Sequence, residues 1–192
     1  MWASKVFPIG IGTDICQISR IYKNLSSDSG VKFLQRILTH EELKTPRAVN
    51  VLKCVYISQK REKTSEPDRA IMRAAEYVAG RFAAKEAVMK AHSPRKIYFR
   101  DIEIGYEHQL AQEAGGEESS ENSLDAEHEP LMPDSSHDSP RDDPLRKSAP
   151  VALIRGRGAR EDAYARVSIS HDGDYAVAFC LAYHRDLGSL ES

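Results

Sequence analysis

The chain has 192 residues, 41% of them hydrophobic and 29% charged, which is typical of one globular domain and too short for two ordinary domains with a linker. No stretch approaches the ~18 uninterrupted apolar residues of a membrane helix, so the sequence predicts neither a membrane span nor a membrane partner. The formal charge of −2 conceals an acidic segment, 113–143, with eleven acids and one base, and the other 161 residues carry 26 basic and 18 acidic side chains. That net +8 indicates an anionic ligand or partner, but no basic aromatic stripe or helix-turn-helix pattern supports nucleic acid.

The N-terminal part of the chain predicts one strand followed by short helices. Residues 6–15 alternate in the manner of a strand, with the isoleucines on one face and two glycines and Asp14 on the other. Apolar residues at helical spacing follow at 33–38, and Thr39 with Glu42 forms a capping-box pattern that predicts the start of a further short helix. Asp14 is therefore expected on a strand face where the two glycines leave space around it.

The middle of the chain contains the clearest helical pattern. Residues 49–57 have the composition of a possible helix, and the charged run 59–68 is typical of a mobile loop. Residues 70–91 contain no proline, are rich in alanine and carry an apolar stripe at the helical period, which predicts a long helix that Pro94 ends.

The C-terminal part predicts strands around an interruption. The acidic segment 113–143 has no aromatic residue and few apolar ones, so it cannot bury enough surface to offset its ordering entropy, and we interpret it as a disordered insertion in a single domain, 1–192. Asp172-Gly173 predicts a tight turn between the last two strands. The predicted strands are 97–104, 151–154, 167–171 and 176–183. Five strands and at least three helices in this order predict an α+β fold.

Asp14 and Glu86 are the candidate metal ligands. Asp14 ends a strand, Glu86 lies within the long helix, and two carboxylates brought together by folding can hold Mg²⁺ while leaving positions for water and phosphate oxygens. Lys90 lies one helical turn after Glu86 and could contact a phosphate beside the metal. Arg81 lies one helical turn before Lys85, so these two basic residues form a further cationic pair on the same helix. The alternative is an ordinary surface ion pair between Glu86 and Lys90, worth a few tenths of a kcal/mol.

His171 is a second candidate, because it follows the strand 167–170 and directly precedes the Asp172-Gly173 turn. An imidazole at a strand end suits phosphate binding or proton transfer. The alternative is a polar histidine that merely flanks a turn. The other histidines show no metal-ligand spacing.

Four segments together resemble one enzyme family. GIGTDI at 10–15, FLQRILTHEEL at 33–43, GRFAAKEAVMKA at 80–91 and VSISH at 167–171 occur in this order, and the combination closely resembles the holo-[acyl-carrier-protein] synthase family of 4′-phosphopantetheinyl transferases. Two departures, the sequence His92-Ser93-Pro94-Arg95-Lys96 after the long helix and the acidic segment, make fungal mitochondrial members the most similar. The resemblance therefore implies a mitochondrial location, with a cytoplasmic one as the alternative.

The resemblance also implies roles for individual residues. Asp14 and Glu86 match the magnesium carboxylates, and Arg81, Lys90 and His171 match residues that bind coenzyme A. Arg20 matches a basic position that faces the acidic carrier protein. The implied fold is an antiparallel-rich sheet packed around a long central helix, in a homotrimer whose active sites are shared between subunits.

The implied reaction transfers the 4′-phosphopantetheine arm of coenzyme A to a serine of an apo acyl carrier protein, as in fatty acid biosynthesis, and releases adenosine 3′,5′-bisphosphate. Mg²⁺ would neutralise charge on the leaving group, Lys90 would stabilise the phosphate oxygens, and either Glu86 or a metal-bound water would remove the serine proton. Two other functions remain open from the residues: a Mg²⁺-dependent nucleotide phosphohydrolase, and a non-enzymatic adaptor that binds acidic helices through the basic surface.

Overall fold

The computed structural model of the protein describes residues 8–60, 68–93, 95–106, 149–156, 158 and 161–184. Within these ranges the chain forms five strands, five α-helices and one 3-10 turn. The strands are β1 Ile9–Gln17, β2 Ile102–Tyr106, β3 Pro150–Ile154, β4 Ala163–Asp172 and β5 Tyr175–Tyr183. The helices are α1 Ile18–Leu25, α2 Gly30–Ile37, α3 His40–Lys44, α4 Pro46–Lys60 and α5 Arg69–Ala91, and the 3-10 turn is Phe99–Asp101.

The strands form one antiparallel sheet in the order β1-β5-β4-β3-β2. The long helix α5 packs across one face of this sheet, chiefly on β1 and β5, and the shorter helices surround α5 on its other side. Most of α5 is buried, which explains its many alanines: small side chains let a helix approach its neighbours on several sides. The predicted α+β fold with a central helix is confirmed.

Two glycines of β1 determine how closely α5 approaches the sheet. A Cβ atom on Gly12 would lie 1.9 Å from the carbonyl oxygen of Ala87, and one on Gly10 would lie 1.9 Å from that of Ala91. The glycine face of β1 therefore packs against the backbone of α5, whereas Ile11 and Ile15 point away from the helix and are exposed. The two predicted faces of this strand are confirmed, and the glycine face is the one that meets the core.

The predicted start of α3 agrees with its local hydrogen bonds, whereas the predicted bounds of α4 do not. The Thr39 hydroxyl accepts from the Glu42 amide at 3.1 Å, and the Glu42 carboxylate accepts from the Thr39 amide at 2.8 Å, so the capping box is confirmed. Helix α4 is longer than the predicted 49–57. The loop prediction for 59–68 is partly wrong, because 59–60 complete α4 and the Asp68 side chain caps α5; 61–67 lie outside the described residues.

The predicted strand at 97–104 is also partly wrong. The Tyr98 amide donates to the Asp101 carboxylate at 3.0 Å, and the Asp101 amide donates to the Tyr98 carbonyl at 2.9 Å. These local bonds close a 3-10 turn, so the strand begins only at Ile102. The predicted β4–β5 hairpin is confirmed, with Gly173 at φ 53° in its turn.

The predicted acidic insertion, 113–143, lies outside the described residues. Its place in the topology is nevertheless defined, because β2 and β3 are antiparallel neighbours and Tyr106 pairs with Pro150. The insertion thus belongs to the connection of a β-hairpin whose two ends are adjacent. None of the helices in the described ranges combines the length and apolarity needed to cross a membrane.

Candidate active site

Asp14 and Lys90 meet where β1 passes the C-terminal part of α5. The Lys90 ammonium donates to the Asp14 carboxylate at 2.7 Å and to the Thr13 carbonyl at 2.9 Å. The alternative pairing of Lys90 with Glu86 is not observed, and Glu86 makes no hydrogen bond or ion pair with any residue that the structure describes. Half of the Lys90 side chain is exposed, at 52%, so its ammonium can reach a ligand from solvent.

Glu86 is a half-buried carboxylate in a mixed electrostatic environment. Burial raises its pKa above the ordinary value, and the negative charge of Asp14 raises it further, whereas Lys90 and Arg20 act in the opposite direction. Folding has therefore brought Asp14 and Glu86, which are 72 positions apart, close enough to repel one another. A divalent cation between two such carboxylates would relieve this repulsion.

The donor set at this position suits Mg²⁺ better than a transition metal. The structure's described ranges contain no group of three or more His, Cys, Asp or Glu side chains that could hold a metal. Mg²⁺ is commonly held by one or two carboxylates, with water and substrate phosphate oxygens completing its octahedron. Asp14 and Glu86 are the residues that could hold it.

Arg20 borders this cluster from α1. Its guanidinium donates to the Cys16 sulfur at 3.7 Å and lies 5.3 Å from the centre of the Phe82 ring. Burial raises the pKa of the Cys16 thiol, which keeps that neighbour neutral. Because Arg20 also lowers the pKa of Glu86, it lies closer to the carboxylates than a purely peripheral docking residue would.

The β4–β5 turn holds the start of α1, and thereby Arg20. The Asp174 carboxylate accepts from the Ser19 amide at 2.9 Å, from the Ser19 hydroxyl at 2.7 Å and from the Gln17 side-chain amide at 2.9 Å. The Asp174 carbonyl accepts from the Ile18 amide at 2.8 Å. Gln17, at the N-cap position, makes no cap of its own, so Asp174 satisfies the free amides of this helix from a distant part of the chain.

Arg81 lies apart from the carboxylates, on the side of α5 that faces β2. Its guanidinium donates to the Ile104 carbonyl and lies 5.2 Å from the centre of the Tyr77 ring. Sequence analysis assigned Arg81 to coenzyme A, and that role stays a prediction. In the single chain this side chain links α5 to the edge strand.

His171 lies on the helix-facing side of β4, as expected for a residue near a ligand site on that side. Its Nε2 is 3.0 Å from the Glu76 carbonyl, and the ring packs over Gly80, where a Cβ atom would lie 3.0 Å from Nε2. In the sheet register His171 pairs with Ala176, which pairs with Cys16. His171 is therefore two strand spacings, about 10 Å, from the strand that carries Asp14.

Sequence analysis missed one functional feature, the buried ion pair between Lys85 and Glu42. Lys85 was described only as forming a cationic pair with Arg81, but its side chain is 0% exposed and donates to the Glu42 carboxylate. The available signal was its position among Ala83, Ala84 and Ala87, small residues that are all buried. A lysine there requires a partner.

The comparison with protein-family models identifies the chain. Residues 10–133, which are 124 of the 192 residues, match the model for the 4′-phosphopantetheinyl transferase superfamily. The chain therefore belongs to the 4′-phosphopantetheinyl transferase superfamily. The matched range contains Asp14, Arg20, Glu86 and Lys90, and His171 lies beyond it.

Two curated relatives of this chain come from Bacillus species. The proteins named holo-[acyl-carrier-protein] synthase from Bacillus thuringiensis (strain Al Hakam) and Bacillus cereus (strain AH820) are each 39% identical to this chain over 99 residues, which is 50% of this chain. The match spans 65% of each relative's own length, slightly less than two thirds. The predicted family is confirmed, and the greater similarity to fungal mitochondrial members stays a prediction.

Solved structures of superfamily members are also similar. A holo-(acyl-carrier-protein) synthase from Bacillus anthracis in complex with CoA (3′,5′-ADP) is 26% identical with a TM-score of 0.47, covering 91% of this chain and 96% of that one. An acyl carrier protein synthase from Plasmodium yoelii with ADP bound is 22% identical with a TM-score of 0.49, covering 92% and 96%. Because both TM-scores are below 0.5, the family assignment rests on the family model.

Proposed function

We propose that this protein transfers the 4′-phosphopantetheine arm of coenzyme A to a serine of an acyl carrier protein. The observation that carries the proposal is the meeting of Asp14, Glu86 and Lys90, which come from the GTDI and KEA segments of a superfamily member. The name of the Bacillus relatives, holo-[acyl-carrier-protein] synthase, supports the same reaction. The serine hydroxyl attacks the pantetheine-side phosphorus, the bond to the bridging oxygen breaks, and adenosine 3′,5′-bisphosphate leaves.

Asp14 and Glu86 are the proposed Mg²⁺ ligands, since two carboxylates that repel one another, with no third His, Cys, Asp or Glu beside them in the described ranges, fit this ion. When bound, Mg²⁺ supplies positive charge against the pyrophosphate and its leaving group. Lys90 supplies a second positive charge from its half-exposed position beside Asp14. In phosphoryl transfer, positioning and charge stabilisation of this kind account for most of the catalysis.

Glu86 is the proposed acceptor of the serine proton. Its carboxylate has no hydrogen-bond or ion-pair partner among the residues described, and it lies on α5 one turn before Lys90, the proposed phosphate contact. A carboxylate within hydrogen-bond reach of the attacking hydroxyl can act as a general base. In this proposal the serine proton passes to the Glu86 carboxylate as the hydroxyl attacks.

His171 and Arg81 are the proposed contacts to coenzyme A, and Arg20 is the proposed contact to the carrier. His171 contacts the N-terminal half of α5 from β4, Arg81 lies near the middle of α5, and Arg20 is exposed on α1. The net +8 of the chain outside the acidic segment supports an acidic partner. His171→Ala should raise the KM for coenzyme A, and Arg20→Glu should raise the KM for the carrier more than that for coenzyme A.

A homotrimer, with active sites shared between subunits, is part of the proposal. The sheet face opposite α5 is apolar and exposed in the single chain, and patches of this kind mark protein interfaces. Its exposed large side chains are Ile9, Ile11, Ile15, Tyr164, Tyr175, Val177, Phe179, Leu181 and Tyr183. Light scattering should report a trimer that Phe179→Glu dissociates, while Tyr56→Glu, an equally exposed position on α4, leaves the mass unchanged. A monomeric wild-type protein would contradict the trimer.

The mitochondrial location is proposed on the resemblance to fungal mitochondrial members, with the cytoplasm as the alternative. Fractionation of the source cells, with the native protein followed by antibody, tests it. Co-sedimentation with cytosolic markers would contradict the mitochondrial assignment.

One assay tests the reaction directly. The protein is mixed with coenzyme A, MgCl₂ and an apo acyl carrier protein, and intact mass spectrometry follows the carrier. The expected result is a phosphopantetheine adduct that depends on the enzyme, on Mg²⁺ and on the acceptor serine. A carrier variant with alanine in place of that serine provides the control.

The other two functions have distinct outcomes in this assay. A Mg²⁺-dependent phosphohydrolase would consume coenzyme A or a nucleotide with no carrier present and leave the carrier unmodified. An adaptor for acidic helices would bind the carrier without changing its mass, and Asp14→Asn would not affect that binding. Either outcome would contradict the proposed transfer.

A further inference from the structure

The Lys85–Glu42 pair is the most completely buried charged feature in the described part of the chain. Lys85 is 0% exposed and Glu42 is 2% exposed. The Lys85 ammonium donates to the Glu42 carboxylate, to the Ile37 carbonyl at 2.7 Å and to the Phe99 carbonyl at 3.2 Å, so all three N–H groups have acceptors.

Both oxygens of the Glu42 carboxylate also accept hydrogen bonds. One carboxylate oxygen accepts from the Thr39 amide at 2.8 Å in addition to Lys85, and the other accepts from the Ile104 amide at 3.1 Å. The pair thus joins α5 to the end of α2, the start of α3, the 3-10 turn and β2. Buried polar networks in which every member is satisfied make the surrounding structure rigid.

Stability alone does not account for this pair. Burial lowers the pKa of Lys85, because desolvation penalises the ammonium more than Glu42 favours it. Replacing a buried ion pair by apolar side chains of similar volume is often neutral or stabilising. Met has a side chain of similar length and no charge, so packing alone does not require a lysine at this position.

The position of Lys85 connects the network to the carboxylate cluster. Lys85 immediately precedes Glu86, and successive side chains on a helix are about 100° apart around its axis. With Lys85 fixed toward α3 and β2, Glu86 and Lys90 are directed toward β1 and Asp14. Arg81, one turn earlier, strengthens the same attachment because it donates to the carbonyl of Ile104, whose amide Glu42 binds.

We propose that the Lys85–Glu42 pair is a positioning device that sets the rotation of α5 and so places Glu86 and Lys90 against Asp14. A rotation of about 15° moves an atom roughly 6 Å from the helix axis by about 1.5 Å. A misplacement of about 1 Å in an active site costs up to about 100-fold in rate. The inference rests on the proposed function, since it concerns the carboxylates assigned to the reaction.

The test compares Lys85→Met, Glu42→Gln and the double variant with the wild-type protein. Lys85→Met leaves an uncompensated buried carboxylate, so we expect a lower Tm and a kcat reduced about tenfold or more. The double variant removes both charges, and we expect its Tm to recover toward that of the wild type while its kcat stays low. The KM for the carrier should change less than kcat in every variant, because Asp174, and not the pair, holds the start of α1 that carries Arg20.

Mn²⁺ binding, followed by electron paramagnetic resonance, gives a readout separate from turnover. Displaced carboxylates should bind Mn²⁺ at least about fivefold more weakly in the double variant. The exposed pair on α3 supplies the matched control: Glu41 and Lys44 lie 2.8 Å apart with half-exposed side chains. The variant Glu41→Gln/Lys44→Met should leave kcat, Tm and Mn²⁺ affinity unchanged.

A double variant that regains both Tm and kcat would overturn the inference and leave the pair a purely structural one. If Lys85→Met does not fold, the double variant and Glu42→Gln are compared with the wild type instead. Normal Mn²⁺ affinity in either of these variants, provided that it folds, would also overturn the inference. A wild-type protein that binds Mn²⁺ but transfers no phosphopantetheine would contradict the proposed function, while the Mn²⁺ comparison would still decide the role of the pair.

Discussion

Glu86 illustrates how a residue in the proposed site differs from the same residue on a surface. Its carboxylate is half-buried beside Asp14 and has no partner within the described residues, so its pKa is raised. A group whose charge is disfavoured by its surroundings lowers the stability of the metal-free protein at neutral pH. Such local instability is typical of sites that bind a charged ligand.

The first prediction concerns the two carboxylates. Asp14→Asn and Glu86→Gln should each reduce phosphopantetheine transfer by at least about 100-fold, since losing a charged metal ligand removes several kcal/mol of transition-state stabilisation. Both variants should keep the wild-type circular dichroism spectrum. Transfer within tenfold of the wild-type rate at millimolar Mg²⁺ would show that the site has been assigned wrongly.

The second prediction concerns pH. The pKa of Glu86 is higher in the folded than in the unfolded state, so its contribution to stability is fully present below the unfolded pKa of about 4.3 and is lost as pH rises through the folded pKa. In metal-free buffer, Glu86→Gln should therefore have a higher Tm than the wild type at pH 7. The difference should shrink as the pH falls toward 4, which differential scanning calorimetry can measure. A difference that grows on acidification would contradict the raised pKa.

At the scale of elements, the site depends on the contact between β1 and α5. Gly12 lies against the Ala87 carbonyl. Gly12 is two residues before Asp14 in β1, and Ala87 directly follows Glu86 in α5. The same close approach that requires glycine also brings Asp14 within reach of Lys90. The packing of α5 on the sheet and the approach of Asp14 to Lys90 therefore depend on the same contact.

The third prediction follows from this contact. Gly12→Ala should destabilise the protein by about 3 kcal/mol or more, because the clash is with backbone that cannot move aside. At a temperature where the variant is folded, its transfer rate should also fall, since α5 must shift away from Asp14. Gly173→Ala is the control: it meets nothing within 4 Å and carries only the strain of φ 53°, about 1 kcal/mol. Equal losses in the two variants, measured by urea unfolding, would argue against the close contact.

The fourth prediction concerns the distant cap of α1. Asp174→Ala removes the acceptors of the Ser19 amide, the Ser19 hydroxyl and the Gln17 side chain, so the start of α1 should fray. Because Arg20 lies in that first turn, the KM for the carrier should rise several-fold while that for coenzyme A changes little. Asp172→Ala, in the same turn, is the control. If the KM for the carrier is unchanged in Asp174→Ala, carrier docking does not depend on this cap.

At the scale of the whole molecule, the acidic segment and the rest of the chain carry net charges of opposite sign. The segment 113–143 carries eleven acids, and the rest of the chain is net +8. The segment belongs to the connection between β2 and β3, whose ends already meet at Tyr106 and Pro150. The sheet therefore does not need its length to close the hairpin.

The fifth prediction is that deleting 113–143 leaves the protein folded and active. The twelve residues 107–112 and 144–149 remain to join β2 to β3, and shortening a loop lowers its closure entropy by only about 0.6 kcal/mol per halving. The KM for an acidic carrier should stay equal or fall, because eleven competing negative charges are removed. A decrease in Tm of more than about 5 °C would show that the segment contributes to the fold.

The sequence by itself determined the features that arise between residues close along the chain. The Thr39–Glu42 capping box, the Asp172-Gly173 turn, the long helix α5 and the two faces of β1 were all predictable, because each depends on neighbouring residues and on the periods of helix and strand. The four motifs also identified the family, and the candidate metal ligands followed from two of them.

The tertiary structure alone decided which distant residues become partners. Lys85 and Glu42 are 43 positions apart, Asp14 and Lys90 are 76 apart, and Ser19 and Asp174 are 155 apart. The alanines around Lys85 indicate burial but not which residue becomes its partner, and nothing in the β4–β5 turn indicates that Asp174 caps another element. Such pairings depend on how closely helices and sheet approach, and here the backbone contact at Gly10 and Gly12 determines that distance.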